Sequence, residues 1–71
     1  MIDTRRLKAR IVESGFKIGE IADRMNVSRM TLNNKMSNKT VFRPEEICDL
    51  CKLLGIIDAR EICEIFGLVE R

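Results

Sequence analysis

Histidine is absent from this 71-residue chain, and proline occurs once. Without histidine there is no Ser/His/Asp set, and the nitrogen donor of most zinc sites is missing. The cysteines are Cys48, Cys51 and Cys63. An odd count in a chain without a secretory pattern argues against a disulfide framework. Cys48 and Cys51 form a C-x-x-C, but no second pair completes four metal ligands. The thiols therefore read as buried, reduced and structural, with no metal and no cofactor expected. No apolar run approaches the ~20 residues that a membrane span needs. The opening MIDTRRLKAR has no apolar stretch behind its charges, so it does not read as a secretory signal, and the cytoplasm is the expected location. There is no Gly-rich phosphate loop and no pair of carboxylates set in a long-range cleft. The chain is also short for a well-formed substrate pocket, so neither an enzyme nor a small-molecule substrate is expected.

The most informative shortage is of negative charge. Between Asp23 and Glu45 no acidic residue occurs, while Arg24, Arg29, Lys35, Lys39 and Arg43 all do. Residues 45–71 reverse the balance, with Glu45, Glu46, Asp49, Asp58, Glu61, Glu64 and Glu70 against Lys52, Arg60 and Arg71. The net charge of +2 thus hides a polarised molecule with one positive side. A field of one sign over a helical segment attracts a nucleic-acid phosphate backbone.

What remains reads as a single all-α domain over residues 1–71, built from five helices. The first is expected over residues 4–14, capped by Asp3 or Thr4, with Leu7 and Ile11 inward, Gly15 as its stop and Phe16 beneath the turn. The second is expected over 18–25, with Glu20 in its first turn and Lys17 as a poor cap. Asn26 suits a left-handed turn and Val27 plugs the corner. Ser28 caps a third helix over 29–37, and the loop SNKTVF then dips Val41 and Phe42 into the core. Pro44, Glu45 and Glu46 open a fourth helix whose stripe is Ile47, Leu50, Cys51 and Leu54, ending at Gly55. Asp58 to Glu61 is a capping-box pattern for a fifth, which is expected to bury Ala59, Ile62, Cys63 and Phe66 before Gly67. Every glycine reads as a break.

Residues 18–36 have helix-turn-helix spacing. Ala22 is small where two helices would cross, and Val27 and Leu32 are apolar at the turn and on the inner face. With Glu20-Ile21-Ala22, Val27-Ser28-Arg29 and the late LCKLLGI run, nearly the whole chain resembles the lambda-repressor-like helix-turn-helix family. The small phage and prophage regulators of the Cro type are the nearest match within it. The resemblance implies a compact five-helix domain in which helices 2 and 3 form the helix-turn-helix. It implies a sequence-specific regulator that binds double-stranded DNA, a Cro-like repressor on a palindromic operator. Departures are visible too. Asn26 and Asn38 stand where the family usually has glycine. Ile18 stands in place of a polar residue that touches phosphate. Ile11 and Met36 stand where an Arg–Glu pair is common, and Lys35 falls near an apolar position.

At 100° per residue Arg29, Met30, Asn33 and Asn34 share one face of the third helix. Arginine can pair with guanine, asparagine with adenine, and methionine can meet a thymine methyl. The family's base-reading positions match these four residues. Two asparagines in mid-helix also point to a use other than helix propensity, although a solvated face is the plainer alternative. The resemblance places Ser28 beside the DNA backbone, with Lys17, Ser37, Lys39 and Arg43 where phosphates are gripped. For Lys35 a phosphate contact and a snorkelling position, stem on the core and amine outward, are equally open. One such unit reads about half a site, so a homodimer is expected, at least on DNA, over half-sites about 34–36 Å apart. Ile65, Leu68 and Val69 form the expected dimer interface, although Leu68 and Val69 folding back on the core is the alternative. A rival from another class is a helix-turn-helix protein-interaction module, an antitoxin-like partner or the target of a protein antirepressor, served by the acidic last two helices.

Overall fold

Leu7 and Ile11 lie four residues apart, one helical turn on one face, and both are buried. They belong to α1 (Thr4–Ser14), the first of five helices in a computed structural model that describes residues 1–68. The others are α2 (Ile18–Arg24), α3 (Arg29–Met36), α4 (Pro44–Leu54) and α5 (Ala59–Phe66), with no strand among the described residues. None of these helices is long and apolar enough to cross a membrane.

The caps explain the boundaries. The Asp3, Ser28 and Asp58 side chains accept backbone N–H bonds at the starts of α1, α3 and α5. Lys17 and Arg43 have no side-chain acceptor. There the third helical residue reaches back instead: Glu20 accepts from the Lys17 N–H at 2.9 Å and Glu46 from the Arg43 N–H at 2.8 Å. Asn26 and Asn38, at φ 59° and 66°, take the left-handed conformation at the ends of α2 and α3. α2 stops at Arg24, one residue short of expectation, because Met25 is its cap.

The core joins all five helices through Leu7, Ile11, Ile21, Ala22, Leu32, Met36, Leu50, Cys51, Leu54, Ile65 and Phe66, with Phe42 and Ile56 from loops. Ile11 and Met36 are both buried in it. Phe42 meets Phe66 edge to face, with ring centroids 5.6 Å apart.

Other expectations change as well, and α3 ends at Met36 with Ser37 as its cap. Val41 is 85% exposed, because Phe42 takes the inward place and its neighbour turns outward. Cys48 is exposed, one step beyond the buried stripe of α4, and only Cys51 is fully covered. Burial raises the Cys51 thiol pKa, and Cys48 and Glu61 push it the same way. Gly19 is no break, since it lies inside α2. Finally, α5 buries Ile65 and Phe66, with Ile62 and Cys63 half-buried and Ala59 exposed. The set Ile62, Ile65, Phe66 has the spacing i, i+3, i+4 of a helix stripe. The segment before α1 lies across it, the Asp3 N–H donating to the Ile65 carbonyl at 2.6 Å.

Candidate nucleic-acid interface

α2 and α3 pack on each other through a closed corner. Ala22 is buried at the contact, and its carbonyl accepts from the Val27 N–H at 3.0 Å. The Asn26 N–H donates to the Asp23 carbonyl at 3.1 Å. Ser28 then starts α3: its hydroxyl accepts from the Thr31 N–H at 3.0 Å and donates to the Thr31 hydroxyl at 2.9 Å. This work as a cap occupies the group that was expected beside the DNA backbone.

Leu32 and Met36 fasten α3 to the core. The opposite face therefore turns outward, with Arg29, Met30 and Asn33 exposed and Asn34 half-buried. Met30 is 74% exposed, a large apolar side chain held out among polar neighbours. The Arg29 guanidinium folds back over Gly19 of α2, so it sits on the shoulder of this face.

The flanking cations separate into two groups. Lys17, Lys39 and Arg43 are exposed, and no carboxylate pairs with them among the described residues. Lys35 is different. Its ammonium donates to Glu46 Oε1 at 2.9 Å and to the Val41 carbonyl at 3.1 Å, and its side chain is only 11% exposed. The amine points along the protein toward α4 and reaches no outward position. Glu46 Oε1 thus holds both Lys35 and the Arg43 N–H. Burial alone would raise the Glu46 pKa, but the Arg43 N–H and the Lys35 ammonium outweigh it and hold the carboxyl below its ordinary value.

Ser37 donates its hydroxyl to the Asn34 carbonyl at 3.3 Å. Beside it a shallow groove of about 200 Å³ runs between α1 and the end of α3, lined by Thr4, Lys8, Asn33, Asn34, Met36, Ser37 and Lys39. Sequence reading missed Lys8 here. No signal in the sequence marks it: Lys8 arrives one turn after Thr4, whose hydroxyl bonds the Met36 carbonyl at 2.8 Å.

Of the residues expected at a dimer contact, Ile65 is completely buried within the protomer and unavailable. Leu68 is 47% exposed, and Val69 lies outside the described residues. Leu68 borders an apolar groove of about 290 Å³, lined also by Met1, Ile2, Val41, Phe42, Ile47 and Phe66. Among the described residues no group of three or more His, Cys, Asp or Glu side chains could hold a metal. Comparison with family models, curated proteins and solved structures gives no match to this chain.

Proposed function

We propose that this protein binds double-stranded DNA sequence-specifically, as a small transcriptional regulator of the lambda-repressor-like, Cro-like kind. α2 and α3 act as its helix-turn-helix. The observation that carries this reading is the two-sidedness of α3. Leu32 and Met36 are buried, and the outward face is made of Arg29, Met30, Asn33 and Asn34 between Lys17, Lys39 and Arg43, cations with no carboxylate partner among the described residues. A helix with this polar, adaptable face fits the major groove, where its side chains meet base edges. The cations supply the salt-dependent attraction to phosphate.

A dimer on a palindromic operator gives the reading its specificity, with repression by occlusion of a promoter in the cytoplasm. Since Ile65 is committed to the core, the contact between copies falls to Leu68 and its surroundings. Selection from random duplexes tests the whole reading. It should return a palindromic consensus whose affinity falls steeply with salt.

A second reading draws on the apolar groove beside Leu68 and on the exposed carboxylates Glu45 and Asp49 of α4. It makes the chain a protein-interaction module for an antirepressor or a toxin. A stable stoichiometric protein partner, with no salt-dependent duplex binding, would replace the DNA reading with this one.

A further inference from the structure

Resting on the DNA-binding reading, we propose that Lys8 and Lys39 together seat one backbone phosphate of the duplex in the groove between α1 and the end of α3. Lys8 carries the argument, since it lies far from α3 in sequence and outside the acid-free stretch.

Three observations converge. First, two cations of α1 are already engaged toward α5 and Lys8 is not. Arg6 is paired with Glu64, and Arg10 lies 3.6 Å from Glu61, so the cations facing α5 are neutralised. Lys8 is exposed and has no carboxylate partner among the described residues.

Second, Lys8 and Lys39 line one groove together with Asn33, Asn34 and Ser37. A phosphate lying there would adjoin Asn33 and Asn34 of the outward face. It would therefore belong to one of the two backbones that border the DNA groove α3 enters.

Third, the usual objection to an anion at this place is weakened. The end of a helix presents free carbonyls and a partial negative charge. Here those carbonyls are occupied. Asn33 O accepts from the Ser37 N–H, and Asn34 O from the Lys39 and Thr40 N–H groups. Lys35 O accepts from the Asn38 N–H and Met36 O from the Thr4 hydroxyl. The Thr4 bond also fixes the start of α1 on the end of α3, so the helix rather than a flexible loop sets the position of Lys8.

The test uses full-length protein and duplexes carrying the selected site, with single phosphates replaced one at a time by uncharged methylphosphonates. Lys8→Ala should keep the thermal midpoint and weaken binding to selected and random DNA alike, by about three- to tenfold, and should lower the salt slope by part of the ~0.9 of one phosphate, the whole of which Lys8→Ala with Lys39→Ala removes. Lys8→Arg should restore most of the affinity. One methylphosphonate position should abolish the effect of Lys8→Ala and of Lys39→Ala together. If Lys39→Ala lowers the slope but Lys8→Ala leaves it unchanged, the shared seat is wrong while DNA binding stands. Different sensitive phosphates for the two lysines would have the same meaning. If the unmodified protein binds no duplex, the DNA reading fails and this inference fails with it.

Discussion

The guanidinium of Arg29 fills the space that a side chain on Gly19 would need: a Cβ there would lie 2.6 Å from Arg29 Nη2. Gly19 is helical, so the backbone itself tolerates alanine. Gly19→Ala should therefore leave the fold intact or raise its stability, by up to about 1 kcal/mol. It should also push Arg29 off the shoulder of the proposed interface. The expected pair of results is an unchanged or higher thermal midpoint and weaker binding to the preferred site. A lowered midpoint with unchanged binding would break the link between Gly19 and Arg29.

Asn33 is the more exposed of the two outward asparagines. Asn33→Ala is expected to cost about 1–3 kcal/mol on the preferred site and little on random DNA. Asn34→Ala should act in the same direction, with part of its effect in stability, since Asn34 is half-buried. Titrations on matched specific and random duplexes decide it. Equal losses on both would remove these residues from sequence reading.

Arg43→Ala should lower the salt slope by about 0.9 and Lys39→Ala by up to that amount, whereas Lys35→Met should leave it alone. The Lys35 ammonium is already committed to Glu46, and both side chains are mostly covered, 11% and 17% exposed. Lys35→Met is accordingly a stability change, about 1–2 kcal/mol in a denaturant melt after allowing for the remaining solvent exposure. A slope that responds to Lys35 as it does to Lys39 would show that the ion pair opens on DNA.

The same pair has a pH signature. The Glu46 carboxyl is held below the ordinary carboxylate value, so the folded state binds its proton less readily than the unfolded state. Its contribution is fully present above that value and is lost as pH falls through the lower, folded-state pKa. Glu46→Gln should lower stability at neutral pH and flatten the acid limb of the stability curve. Parallel acid limbs for the two proteins would deny Glu46 this role.

Ile65 and Leu68 separate fold from assembly. Ile65→Ala should cost about 2–5 kcal/mol by opening a cavity in the core, enough to leave so small a domain barely folded at room temperature. Leu68→Ala should keep most of the stability and reduce cooperative binding to a two-half-site operator. Sedimentation shows whether the free protein pairs, and an unaltered dimer in Leu68→Ala would move the contact elsewhere.

The helices were legible because their ends are local chemistry. Asp3, Ser28 and Asp58 accept at the starts, Pro44 occupies a first position, and Gly15, Gly55 and Gly67 take left-handed caps. The outward face of α3 was legible for a related reason: Leu32 and Met36 fix its rotation. Features that depend on a neighbouring element were not. The segment before α1 covers Ile65, which a helical wheel centred on Ala59 leaves outside. The choice of Lys35 between water and Glu46 depends on α4 arriving beside it. Lys8 joins the groove only through the docking of α1 on α3. Gly19 looked like punctuation because its use lies in a side chain ten residues away.

Asn38 carries one more consequence. Its φ of 66° is a conformation that glycine adopts at less cost, but its amide also accepts from the Ile2 N–H at 2.8 Å and donates to the Ile2 carbonyl at 3.3 Å. Position 38 therefore answers two demands at once, and glycine answers only the first. Any drift of this sequence toward glycine there releases the beginning of the polypeptide from the end of α3. A fusion or a bulky tag attached ahead of Met1 pulls on the same two bonds from the other side. The segment before α1 is thus mechanically continuous with the surface proposed to touch DNA, and a load placed on Ile2 would be felt at that surface.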